Sequence, residues 1–278
     1  MLKQLESMND IKLICCDIDG TLVRDDKSLS DENVRWIQRA VKEKNVRFTI
    51  VSGRMYSAVI HFYSTLGVRG PASCINGALL YDSDGNVIGD HRISIDIAER
   101  IYRVAREFPI EMLLIAGNTW CTEKHDGFLY SVKLPIYRQD SVIADLGSLI
   151  RSEEANKILF MSQDANLLES LRAEIRKEIA PSDASFYYGN DFLELMPGGV
   201  NKGTAIDDLS AYYGIDKSEI MALGDDFNDI EMLSKAGFSI AMGNASDVVK
   251  SAARYVTDAN ENDGVARAIE RFYPSMRG

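Results

Sequence analysis

Residues 11–22 constrain the fold more than any other stretch of this chain. The apolar run Ile11-Lys12-Leu13-Ile14-Cys15-Cys16 reads as a buried parallel strand, and Asp17-Ile18-Asp19-Gly20-Thr21-Leu22 follows it at once. Two carboxylates are thus delivered at a strand's carboxyl end, where open α/β sheets place their ligand sites. Gly20 lets the chain turn away, so both carboxylates can reach one reacting group. No adjacent basic residue neutralises them, and crowded ionised carboxylates cost free energy unless a cation binds between them. A metal ion together with an anionic substrate meets that need most simply.

The rest of the first third alternates strand and helix. Ser30 can cap a helix with Val34, Ile37, Ala40 and Val41 on one face. The β-branched run Phe48-Thr49-Ile50-Val51 ends at Ser52-Gly53-Arg54, a helix is expected to about Leu66, and a short strand at Ala72–Ile75. Asp82-Ser83-Asp84-Gly85-Asn86 reads as a hairpin turn. The middle has another texture: helices at Asp96–Phe108 and Leu167–Ile179, with strands at Met112–Ile115, Ile158–Met161 and Ser185–Tyr188. Alternation returns after it, from a helix at Lys202–Tyr213 to a last helix at Gly264–Phe272. Strands alternating with helices imply a doubly wound parallel α/β sheet. The middle is therefore read as an α+β insertion, residues 92–190, between two halves of one domain, 1–91 and 191–278.

Composition narrows the partners. At 278 residues the chain exceeds a typical single domain. A net charge of −11 argues against nucleic acid, which needs a basic face, yet allows a locally positive pocket for a small phosphorylated metabolite. No run approaches the roughly 18 apolar residues of a membrane span, so no membrane partner is expected. Met1–Asp10 is polar and lacks a signal peptide's apolar segment. Met8 lies close before the first strand, so Met1–Ser7 is expected to be a loose extension and either methionine can be the start. Cys15, Cys16, Cys74 and Cys121 show no CxxC spacing, which suits buried packing in a reducing cytoplasm.

Four motifs carry possible chemistry. An Asp carboxylate can attack phosphorus, and a second can donate a proton and later activate water; the plainer reading of Asp17 and Asp19 is turn capping. Ser52 and Gly53 offer a hydroxyl and free N–H groups at a helix start, suited to a phosphate oxygen or to ordinary capping. Arg54 can hold an anion or lie on the helix surface. Gly198-Gly199-Val200-Asn201-Lys202-Gly203 is not a Walker A loop, but Lys202 is misplaced at a helix start, where the macrodipole disfavours a cation. Gly224-Asp225-Asp226-Phe227-Asn228-Asp229 holds more hard oxygen donors than capping needs, and such donors suit Mg²⁺.

In this order DIDGTL (17–22), IVSGR (50–54), GVNKG (199–203) and GDDFND (224–229) resemble the four motifs of the haloacid dehalogenase superfamily. The long insert, Asn76-Gly77-Ala78, and the ending from Asn262 to Ile269 are similar to the Cof-type phosphatases of subclass IIB. The resemblance implies a Rossmann-like core with an inserted α+β cap that closes over the site and reads the leaving group. It implies Asp17 as nucleophile and Mg²⁺ ligand, and Asp19 as general acid/base with its carbonyl on the metal. It further implies Ser52 and Lys202 on the phosphoryl group, Asp225 on Mg²⁺, Asp229 supporting the metal directly or through water, and Asn228 near substrate. Gly53, Arg54, Asn76 and Asn201 are lesser candidates for phosphate or substrate contacts, and Asp226 has no firm role. The expected activity is phosphomonoester hydrolysis through an aspartyl-phosphate.

Subclass IIB is also similar to phosphomannomutases, so a phosphomutase is the competing enzyme. A phospholigand-binding protein without catalysis is the non-enzymatic alternative. Trp120, His125, Tyr130 and Lys133 are polar or aromatic enough to line a pocket, though each is more often ordinary core or surface. His61, His91 and His125 show no metal spacing.

Overall fold

A computed structural model describes residues 11–273; the expected extension at Met1–Ser7 lies outside them. By contact the chain divides into two compact units. One holds the residues up to Gly53, Val59–Ile88 and those from Asn201 onward; the other holds Arg54–Ala58 and Gly89–Val200.

The first unit is built on an eight-stranded sheet. Its order is Tyr255–Val256, Phe238–Ala241, Ile220–Gly224, Leu13–Cys16, Arg47–Val51, Ala72–Cys74, Leu79–Tyr81 and Val87–Asp90. The first six run parallel, and Leu79–Tyr81 turns antiparallel to Ala72–Cys74. The expected turn is present: the Asp82 carboxylate accepts from the backbone N–H of Asp84 and Asn86 at 2.8 and 2.9 Å. Leu13, Ile14, Cys15 and Cys16 are fully buried, as a strand covered on both faces requires. The four cysteines are free and buried.

Helix Asp31–Lys44 begins where expected, with the Ser30 side chain accepting from the Asn33 N–H. Its buried stripe is Asn33, Trp36, Ile37 and Ala40, while Val34 and Val41 are half-buried, so the inward face is rotated from the predicted one. Buried Asn33 is the reason. Its Nδ2 donates to Leu22 O at 3.2 Å, and its Oδ1 accepts from the Ala266 N–H at 2.9 Å. An aliphatic side chain there would orphan both backbone groups.

The second unit is a six-stranded sheet in the order Ala184–Tyr188, Phe192–Pro197, Lys157–Met161, Glu111–Ala116, Thr119–Thr122 and Val142–Ile143. Ile101 of helix Ile95–Ala105, and Leu168, Leu171 and Ile175 of helix Ala165–Glu178, pack in one core with Leu114, Ile158, Phe160, Leu193 and Leu195. The boundary expected at 190 needs correction. Phe192–Pro197 pairs antiparallel with Ala184–Tyr188 and with Lys157–Met161, so it belongs to this sheet. Gly189-Asn190-Asp191 makes a hairpin turn across that boundary, in which the Gly189 N–H donates to Phe192 O at 3.0 Å. Asn156 is fully buried here and serves three backbone or carboxylate partners: the Gly117 N–H, the Asp90 carboxylate and His91 O.

Candidate active site

The chain leaves Leu13–Cys16 for Arg47–Val51 on one side and returns through Ile220–Gly224 on the other, so the sheet's order reverses at this strand. Side chains beyond the carboxyl ends of such neighbouring strands share one crevice. Register brings them level. Cys16 pairs with Leu223, and the Asp17 N–H donates to Leu223 O at 3.1 Å. Asp17 and Asp225 therefore emerge side by side although about 200 residues separate them.

The approach of the two loops depends on glycine. Gly20 has φ +78°, and a Cβ there would lie 2.2 Å from Asp225 Oδ2. Thr21 Oγ1 donates to Asp225 Oδ1 at 2.7 Å, and Asn244 Nδ2 donates to Gly20 O at 2.9 Å and to Asp225 Oδ2 at 3.4 Å. Gly224 makes room in the same way for Asp229, whose Cγ would lie 2.5 Å from a Cβ. Asp229 is fully buried, and its Oδ2 accepts from the N–H groups of Asp225 and Asp226, each at 3.0 Å.

Lys202 opens helix Lys202–Tyr213 and is 2% exposed. The helix start is satisfied internally: Asn201 accepts from the Gly203 N–H, and Thr204 Oγ1 accepts from the Asn201 N–H. Asn201 thus acts as a helix cap. The Lys202 side chain instead reaches Asp17 Oδ1 and Asp229 Oδ1, both at 2.7 Å. Burial works against its charge, but Asp17 and Asp229 outweigh that and raise its pKa above the ordinary lysine value. Burial pushes the Asp17 carboxyl up to about 8; Lys202 opposes the shift and the Asp229 and Asp225 carboxylates add to it. Burial likewise raises Asp225 to about 6 against the Thr21 hydrogen bond. Three carboxylates facing one ammonium leave a surplus of two negative charges when all are ionised.

That surplus is what a divalent cation offsets. Asp17, Asp225 and Asp229 each present an oxygen within 4.8 Å of the others. Asp229 already has both oxygens engaged, one by Lys202 and one by two backbone N–H groups, which suits a supporting role better than a direct ligand. Asp225 meets neutral donors, Thr21 and, at 3.4 Å, Asn244, and Asp17 meets Lys202 through Oδ1, so these two better offer the hard oxygens that Mg²⁺ takes.

A second group lies in the same unit. Ser52 is 2% exposed, and its N–H donates to Ser73 O at 2.9 Å. Its carbonyl accepts from the Asn76 N–H at 2.9 Å, and Asn76 Oδ1 accepts from Asn228 Nδ2 at 3.2 Å. Gly53 lies against Asn76: a Cβ on it would come 3.0 Å from Asn76 Oδ1. Ile75 and Asn76 both have positive φ, 52° and 51°. Two successive left-handed residues, one of them β-branched, store strain of a kind that clusters at functional sites. Ser52, Gly53, Asn76 and Asn228 are therefore brought together. Arg54 is not grouped with them, since it goes by contact with the second unit. Asp19 is less covered than Asp17, with its side chain 41% exposed, and it pairs with Lys27 Nζ at 2.9 Å.

Thr21, Asn244 and Lys27 were not legible as site residues. Thr21 sits inside a recognised motif, but its use depends on a partner 204 positions away. In the second unit, Trp120 is fully buried, donates to Gln139 O at 2.9 Å and stacks on Tyr130. His125 stacks on the other candidate ring, Tyr130, at 4.7 Å, so these three form a packed cluster. Lys133 is half-buried, and burial lowers its pKa.

Residues 14–269 match the family of haloacid dehalogenase-like hydrolases. The chain is 31% identical over 268 residues to the 5-amino-6-(5-phospho-D-ribitylamino)uracil phosphatase YcsE of Bacillus subtilis, covering 95% of this chain and 96% of that one. It is 27% identical to the pyridoxal phosphate phosphatase YbhA of Escherichia coli, covering 93% and 97%. Among solved structures, a haloacid dehalogenase-like hydrolase from Bacteroides thetaiotaomicron is similar with a TM-score of 0.84 and 27% identity, covering 94% and 98%.

Proposed function

The chain belongs to the haloacid dehalogenase-like hydrolases, and from that premise we propose that it is a Mg²⁺-dependent phosphatase of small phosphorylated metabolites, acting through an aspartyl-phosphate. The observation that carries this reading is the buried Asp17, held by Lys202 on one oxygen and crowded by Asp225 and Asp229. Asp17, Asp225 and, in support, Asp229 would hold Mg²⁺, whose charge would offset that of the carboxylates and the phosphoryl group.

The residues then divide the work. Lys202 fixes Asp17 by Oδ1, so one carboxylate oxygen is oriented for attack on phosphorus. As the Asp17–phosphorus bond forms, the ester P–O bond breaks and the leaving oxygen takes a proton from Asp19. Water then attacks phosphorus and gives a proton to Asp19, and the bond to Asp17 breaks, releasing phosphate and restoring the Asp17 carboxylate and the protonated Asp19. Ser52 and Lys202 would hold the phosphoryl oxygens, and Asn228 would meet the substrate, a role its hydrogen bond to Asn76 supports. Phosphoryl transfer asks mainly for such positioning and charge stabilisation.

The substrate class is a sugar phosphate or similar phosphomonoester, with the inserted unit setting specificity. Four free, buried cysteines suit a reducing cytoplasm, and no helix among the described residues is long and apolar enough to cross a membrane. The test is phosphate release across hexose phosphates, pyridoxal phosphate and ribityl phosphates, with Mg²⁺ or with EDTA, beside Asp17→Asn. Release that needs Mg²⁺ and vanishes in the variant is expected. Wild-type release from Asp17→Asn refutes the nucleophile, and isomerisation of a sugar phosphate without phosphate release makes the protein a mutase.

A further inference from the structure

We propose that Lys27 is the positioning residue for Asp19, an inference that rests on the phosphatase reading. Its Nζ donates to Asp19 Oδ1 at 2.9 Å. The pair is exposed, with side-chain exposures of 57% and 41%, and such pairs add little to stability. What the contact does is orient. A carboxylate's terminal torsion is broad and two-fold, and an ammonium on Oδ1 narrows it to one orientation.

The backbone carries the same message. Lys27 has φ +69°, a left-handed conformation that glycine or asparagine adopts at lower cost. A lysine occupies this strained turn position, and its side chain is used. The turn is closed by the Lys27 N–H to Arg24 O at 2.9 Å and the Arg24 N–H to Ser28 O at 3.0 Å. Asp19 pairs with Val23 at the base of the same loop.

This loop is also braced from the chain's end. Buried Asn260 donates through Nδ2 to Val23 O at 3.1 Å and to Asp25 Oδ1 at 3.0 Å. Glu261 accepts from the Asp25 N–H at 2.8 Å, and Arg24 pairs with Asp263 at 3.3 Å. A solvent-facing turn needs no such scaffold. Residues 260–263 thus hold the loop, the loop holds Lys27, and Lys27 holds Asp19.

The test uses leaving groups. A nitrophenolate departs with little protonation, whereas an alkoxide needs Asp19 in place. kcat/KM reports the steps up to the aspartyl-phosphate. Lys27→Met is expected to lower kcat/KM about tenfold for an alkyl phosphate, part of the about 10²–10⁴-fold that a general acid supplies. For p-nitrophenyl phosphate the loss is expected to stay within about twofold, and Lys27→Arg to restore both substrates to near wild type. Lys27→Gly, relieved of the left-handed strain, should copy Lys27→Met in kinetics with a Tm no lower than wild type, which separates positioning from folding. Equal losses on both esters, or no loss on the alkyl ester, overturn the inference and leave the phosphatase reading standing. A wild type inert toward both esters and toward every phosphate of the panel above overturns the phosphatase reading and this inference with it.

Discussion

Replacing Lys202 by methionine keeps most of the side chain's volume and removes the ammonium between Asp17 and Asp229. Each contact is 2.7 Å. At an effective dielectric of about 20, such a separation corresponds to about 6 kcal/mol of attraction per pair. Most of that is offset by the cost of burying the three charges, so the expected net loss is about 3–5 kcal/mol, the range for breaking a buried pair. With a urea slope of about 3 kcal/mol/M, the midpoint moves down by about 1–2 M. The loss has a pH signature in EDTA. Asp17 already titrates at about 8 in the folded protein, and its ordinary value is 3.8. A carboxyl raised in the folded state loses stability as pH climbs from its unfolded pKa through its folded one. Removing Lys202 raises the folded value further. The deficit is therefore expected to be small at pH 5, where protonation relieves the crowding, and full near pH 9. Urea titrations of wild type and Lys202→Met at both pH values decide it. A deficit below about 1 kcal/mol at pH 9, or one equal at the two pH values, refutes the reasoning.

Mg²⁺ is expected to raise the Tm of the wild type, by the equivalent of about 2.7 kcal/mol at a concentration 100 times its Kd. Asp225→Asn should abolish that shift. Because Asp225 titrates at about 6, the shift should also be smaller at pH 5 than at pH 8, since protons compete for the oxygens; equal shifts at the two values count against Asp225 as a ligand. Gly20→Ala would drive a Cβ to 2.2 Å from Asp225 Oδ2 at φ +78°. It is expected to cost about 1–3 kcal/mol and most of the phosphate release, and an alanine variant with native Tm and activity would show that the loops can separate freely.

Much of the first unit was legible because its strands are short apolar runs that end abruptly in polar residues. Helices Lys202–Tyr213 and Gly264–Phe272 fall on their expected bounds. Asp17, Asp225 and Asp229 converge because each follows, by a few residues at most, a strand whose end was readable. Lys202 was readable as an anomaly, a cation where a helix disfavours one. The second unit was harder. Thr119–Thr122 is short and flanked by polar residues, and helix Phe128–Tyr137 contains Pro135, so neither advertises its state. Lys27 and Asn244 left no signal at all, since an exposed turn residue and a lone asparagine become informative only through partners that folding supplies.

The pairing of Leu13–Cys16 with Ile220–Gly224 has a consequence for synthesis on the ribosome. The sheet's central strand emerges with one edge open, and its partner is translated about 200 residues later. At about 5–20 residues per second, that edge waits roughly 10–40 seconds. In the interval the inserted residues Gly89–Val200, whose sheet and core are drawn from one continuous stretch, can fold on their own. The nascent first half meanwhile carries an unpaired apolar strand of the kind that recruits other chains. The expected order of birth is therefore insert first and eight-stranded sheet last, with the half-made chain the species most exposed to wrong pairing.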